Sequence, residues 1–242
     1  MVAEATTIYF VNAFVLLLGA LAIAAFAFRE SGGARRMILI STIPAASMGV
    51  AYALMGLEVA TYETAGREQS AMRFVGYTVA LASFAYILKR TASLSTRQTT
   101  LLAVLLVGTP WASFVSWFLT GALESAATLL SLGLFASVSY LMYSPLDRRA
   151  TAIGGRNELL YAKLRNLFII TYLTLIITSA ASEQVLGLLT TFVATIAAGY
   201  ADVVLTLGIG LLIVSSASLF RERAVENATT PERPLGAAGL DE

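Results

Sequence analysis

The sequence predicts an all-α membrane protein, a bundle of seven transmembrane helices with its N-terminus outside and its C-terminus cytoplasmic. Three observations carry that expectation. The chain is 57% hydrophobic and only 13% charged over 242 residues, too little charge to solvate a water-soluble domain of this length. Continuous runs rich in Leu, Ala and Ile recur at about 8–28, 37–57, 71–88, 99–120, 125–143, 159–181 and 189–216, each near the ~20 residues a helix needs to cross ~30 Å of hydrocarbon. The basic residues are also segregated: of 16 Lys and Arg, all but Arg67 and Arg73 fall at one set of segment ends. Short exported loops disfavour Lys and Arg, so that set is expected to be cytoplasmic. The runs are unbroken, unlike the short alternating segments of a membrane barrel.

The segments follow in order. No apolar region with a small-residue cleavage site precedes the first run, which is therefore expected to stay as a helix rather than act as a signal peptide; it is followed by Arg29. The second follows Arg35 and Arg36 and contains Pro44, which membrane helices tolerate. The third carries Arg73, Gly76 and Tyr77 and closes on Lys89 and Arg90. The fourth follows Arg97 and ends near Phe114 and Phe118, and the fifth follows Glu124. Between Ser144 and Asn157, Pro145 and Gly154-Gly155 predict an irregular cytoplasmic turn region. The sixth opens around Lys163, Leu164 and Arg165, and the seventh contains Asp202. The expected division is a membrane domain over 1–223 and a polar, disordered tail over 224–242. On the outer side the loops hold Glu4, Glu58, Glu63, Glu68, Glu124 and Glu183.

Composition excludes several chemistries. With no cysteine and no histidine, disulfides, thiolate or imidazole metal sites and histidine acid–base machinery are unavailable. No phosphate loop or paired acid–base motif suggests an enzyme, and nothing points to nucleic acid or a metal. The expected surroundings are the lipid bilayer of the cell membrane.

Five local patterns recur in a shared order. They are Arg35 to Pro44 with Tyr52 beyond it; Gly66-Arg-Glu-Gln69; Arg73-Phe-Val-Gly76-Tyr77; Leu164-Arg165-Asn166; and Gly199-Tyr-Ala-Asp202-Val-Val-Leu-Thr206-Leu-Gly208-Ile-Gly210. Together they resemble the microbial (type 1, archaeal bacteriorhodopsin-like) rhodopsins, whose last helix reads Asp-x-x-x-Lys-x-Gly-x-Gly. Thr206 stands where the resemblance places the retinal-binding lysine. A threonine hydroxyl cannot form an imine with an aldehyde, and the chain's two lysines, Lys89 and Lys163, sit at segment ends. The resemblance thus implies an opsin-related protein without a covalent cofactor.

Other departures fall on the same machinery. Gly76 occupies the place of the primary counterion carboxylate, and Ile87 that of the cytoplasmic proton donor, so a proton relay has lost both titratable groups. The family's pocket positions correspond to Tyr77, Ser131, Tyr172 and Ser179, with Phe114 and Phe118 adding aromatic volume at the ring end. Each aromatic is also explained by ordinary helix packing. What the resemblance retains is a buried ion pair of Asp202 with Arg73, with Tyr52 or Tyr77 as hydrogen-bond donors, either a relic of the counterion complex or a tie between helices. Tyr200, two residues before Asp202, matches a tyrosine with which sensory members contact a transducer, while the companion threonine of that contact is Leu205 here. Gly208 and Gly210 suit close helix contacts, internal or between proteins. Three functions remain open: a non-photochemical partner of another membrane protein, through self-association or as a regulatory or sensory-type receptor; a noncovalent binder of retinal, carotenoid or lipid; and a passive ion pathway.

Overall fold

The computed structural model describes residues 2–64, 67–183 and 185–221. Among them are seven helices long and apolar enough to cross a membrane. In chain order the elements are α1 (Val2–Ala27), α2 (Gly32–Gly56), β1 (Thr61–Thr64), β2 (Arg67–Ser70), α3 (Ala71–Ala92), α4 (Thr96–Ser116), α5 (Ala122–Tyr143), α6 (Pro145–Ile153), α7 (Gly155–Ala181) and α8 (Thr191–Ser215). Apart from α6, each helix answers to one apolar run. The protein is a multi-pass helical bundle.

The helices extend past the apolar runs wherever polar residues complete a turn. Helix α4 starts at Thr96 because Ser95 and Gln98 form a reciprocal capping box. Helix α8 starts under Thr190, whose hydroxyl accepts from the Val193 amide. The two strands form an antiparallel hairpin, pairing Thr61 with Ser70 and Glu63 with Glu68. Hydropathy is blind to such a polar hairpin, and it was not anticipated.

The expected irregular region over 144–157 is instead mostly helical, which corrects that expectation. Pro145 takes the first position of α6, where its missing N–H costs nothing. Leu146 and Ala150 then turn inward and bury. The real break is at Gly154 and Gly155, with φ of +70° and +61°, a conformation that glycine adopts without strain. The tail over 224–242 and Gly66 lie outside the described residues.

The core runs down the centre of the bundle through Leu16, Met48, Phe84, Ile87, Leu88, Leu102, Leu106, Met142, Tyr161 and Phe168. Ile87, expected at a proton-donor position, is one of these fully buried packing residues. Leu and Phe face outward all round, as lipid-facing helices require. Helix α5 is the most peripheral, burying only Val138 and Met142.

The two ends of the bundle are fastened differently. At the Arg-rich end Asp147 of α6 pairs with Arg165 of α7, whose guanidinium lies 4.2 Å from the Tyr143 ring centroid. Glu30 pairs with Arg221 at 3.3 Å, and Arg156 donates to Ser218 at 2.8 Å. At the opposite end the hairpin leans on the end of α4 through Tyr62 and Phe118, ring centroids 6.0 Å apart.

Candidate functional site

Helix α8 buries Gly199, Asp202, Thr206, Ile209 and Ile213, spaced by three and four residues, so Asp202 and Thr206 lie one turn apart on its inward face. Asp202 is 0% exposed. Three groups from two other helices converge on its carboxylate. Arg73 Nη2 donates to Oδ2 at 2.8 Å, Tyr52 Oη to Oδ2 at 2.6 Å, and Tyr77 Oη to Oδ1 at 2.6 Å. A cationic donor and two phenol hydroxyls fit an ionised carboxylate, which only accepts. The three contacts join α2, α3 and α8. Tyr77 sits one turn after Arg73 on α3, with the guanidinium 5.6 Å from its ring centroid. The Arg73 side chain is 20% exposed, yet its Nε is buried without a partner.

Thr206 does not join this cluster through its hydroxyl. Its Oγ1 donates to the Asp202 carbonyl at 2.8 Å, back along its own helix. Neither lysine reaches the interior either: Lys89 lies in the last turn of α3 against Thr96, 3.4 Å away, and Lys163 is exposed on α7.

Gly76 is where α3 presses on α2. A Cβ there would fall 2.7 Å from the Ala51 Cβ and 3.0 Å from the Met48 sulfur, and its carbonyl accepts from Ser47 Oγ at 3.4 Å. The space a carboxylate would need is occupied by α2. Glycines on α8 act similarly. A Cβ on Gly208 would meet Leu167 of α7 at 2.8 Å, and one on Gly210 would meet Ile23 of α1 at 2.3 Å. Both glycines therefore serve contacts inside the bundle.

The remaining expected pocket residues divide. Tyr172 is buried in a run of rings, 5.1 Å from Phe135 and 5.4 Å from Phe168, which lies 5.4 Å from Phe84. Phe114 packs 4.5 Å from Phe74 and 5.5 Å from Trp111. Ser131 donates to the Thr109 carbonyl at 2.9 Å, tying α5 to α4. Phe118 lies past the end of α4, 45% exposed, at the rim against Tyr62 rather than inside. Ser179 is corrected outright: it is exposed in the last turn of α7, which ends at Ala181, while Phe168, Thr171, Tyr172 and Thr178 are among the residues of that helix that bury. Tyr200 projects from α8 into the lipid-facing surface, 69% exposed, while Leu205 is buried.

Three residues of this interior were not singled out from sequence. Trp111 donates its indole N–H to Thr78 at 2.8 Å and lies 6.1 Å from Phe74. A half-buried indole N–H turned into the bundle needs such a partner, so one of only two tryptophans in the chain was the available signal.

No protein-family model matches the chain. It is 25% identical over 217 residues to the sensory rhodopsin-2 of Natronomonas pharaonis, covering 89% of this chain and 90% of that protein. Among solved structures it matches the thermophilic rhodopsin of Rubrobacter xylanophilus with a TM-score of 0.82 at 19% identity, covering 89% of this chain and 97% of that one. A light-driven proton pump of Coccomyxa subellipsoidea matches with a TM-score of 0.80 at 15% identity, over 88% and 96% of the two chains. These structural likenesses concern the fold alone.

Proposed function

We propose that this microbial (type 1) rhodopsin-like membrane protein forms no covalent retinal adduct and acts as a non-photochemical membrane partner or sensory-type regulatory protein, not as a light-driven pump. The observation that carries the reading is the inward face of α8, where Thr206 offers a hydroxyl already bonded to the Asp202 carbonyl and no amine. A Schiff base needs that amine. The exposed Lys163 and the helix-end Lys89 are no substitute. The close α2–α3 contact at Gly76 adds support, since it leaves no room for an acceptor carboxylate at that position.

Similarity to sensory rhodopsin-2 over most of both chains favours the sensory-type role over transport. Rings packed against one another from Phe84 through Phe168 and Tyr172 to Phe135 argue against a roomy cleft for retinal, carotenoid or lipid. The reading includes the orientation drawn from the basic residues, with the Arg-rich end cytoplasmic.

The test is to express the chain with all-trans retinal, purify it and reduce it with borohydride. Mass spectrometry is expected to find the unmodified chain, and the absorption spectrum no red-shifted band. A stoichiometric reduced retinyl adduct on this chain would overturn the proposal.

A further inference from the structure

At the Arg-rich end, the outer face of α2 carries a feature that the Asp202 cluster does not use. Gly32, Arg35, Arg36, Leu39, Ile40 and Ile43, spaced mainly by three and four residues, line a shallow groove of about 450 Å³. Its rim is cationic and its floor aliphatic. Arg35 and Arg36 are both exposed and pair with no carboxylate among the described residues; Arg35 lies 5.9 Å from the centroid of the Phe28 ring, itself 79% exposed. Glu30, the only acid between Glu4 and Glu58, is held by Arg221 at 3.3 Å. Helix α2 begins at the same rim with no side-chain cap from Ser31 and no acid in its first turn, so its amide end adds to the positive potential.

Uncompensated positive charge directly above an aliphatic strip, at the end of a membrane-spanning helix, is the complement of one lipid type. Guanidinium forks suit phosphate oxygens, and the strip below suits an acyl chain running along the helix. A zwitterionic lipid would fill the strip but bring its own cation to a rim already in excess of positive charge. We propose that this groove binds one anionic phospholipid, with its phosphate on Arg35 and Arg36 and an acyl chain along Leu39, Ile40 and Ile43.

The test uses the full chain reconstituted in mixed phosphatidylglycerol and phosphatidylcholine bilayers, released into detergent and weighed intact by native mass spectrometry. The wild type is expected to retain one phosphatidylglycerol about tenfold in preference to phosphatidylcholine. The Arg35→Gln/Arg36→Gln variant should lose most of that preference. Arg148→Gln/Arg149→Gln, a comparably exposed pair on α6, should keep it. Excess inorganic phosphate should leave the retained lipid in place. Should the first variant insert poorly, phosphatidylglycerol with a photoactivatable acyl chain, applied to the wild type, is expected to crosslink within residues 39–43. Equal retention of both lipids, equal loss in the two arginine pairs, displacement by phosphate, or crosslinks confined to other helices would each overturn the proposal.

Discussion

Arg73→Ala would leave the Asp202 carboxylate fully buried with two phenol hydroxyls and no counter-charge. Breaking a buried pair by removing one member typically costs ~3–5 kcal/mol, although the pair measured against apolar replacements is worth far less. The detergent-solubilised variant is therefore expected to melt lower. Adding Asp202→Asn should recover part of the loss, a coupling of roughly 0.5–3 kcal/mol in the double-mutant cycle. Additive losses would show the two residues to be energetically independent. Thr206 permits a second prediction. Thr206→Lys alone should give no light-driven acidification of the medium, because Gly76 still supplies no acceptor and α2 fills the space beside it. Pumping by that single variant would show that the interior can reorganise more than its packing suggests.

At the scale of helices, the glycines separate contact from propensity. Gly76→Ala pushes a methyl within 2.7 Å of Ala51 and 3.0 Å of Met48, so α2 and α3 must part slightly. A loss of about 1–3 kcal/mol is expected, as for other over-packed sites. Gly133 on α5 has open space around its Cβ position, and Gly133→Ala should leave the melting temperature unchanged or raise it. Equal effects from the two substitutions would count against close α2–α3 packing as the reason for Gly76. The hairpin and α6 belong to this scale too. Both are polar or amphipathic segments between apolar runs, and a reading based on hydropathy merges them into loops. Pro145 and the glycine pair at 154–155 were visible as punctuation, but whether they bound a coil or a short helix depended on Leu146 and Ala150 finding a place in the core.

For the whole molecule, the proposed orientation is directly measurable because the chain contains no cysteine, so any introduced thiol is unique. Ala152→Cys on α6 and Leu186→Cys between α7 and α8 are both exposed and lie at opposite ends of the bundle. A membrane-impermeant maleimide should label Leu186→Cys on intact cells and Ala152→Cys only after lysis. The reverse pattern would invert the topology inferred from the basic residues. The retinal experiment also addresses the molecule as a whole, since the absence of an adduct depends on every amine in the chain.

The sequence by itself determined the number of spans and which residues could supply chemistry, because crossing a bilayer demands long apolar runs and an imine demands an amine. It also nominated Asp202, Arg73, Tyr52 and Tyr77 together, since a charge within a span needs partners and the motif order offered these. Tertiary structure decided what depends on helix rotation and approach. It showed that both tyrosines, not one, donate to Asp202, and that Ser179 is exposed in the last turn of α7 while Thr178 is buried. It turned Gly76 from a missing carboxylate into a contact point between α2 and α3. Those outcomes follow from where neighbouring helices press and how each is rotated about its axis, quantities that a one-dimensional pattern of apolar residues constrains only to within a turn.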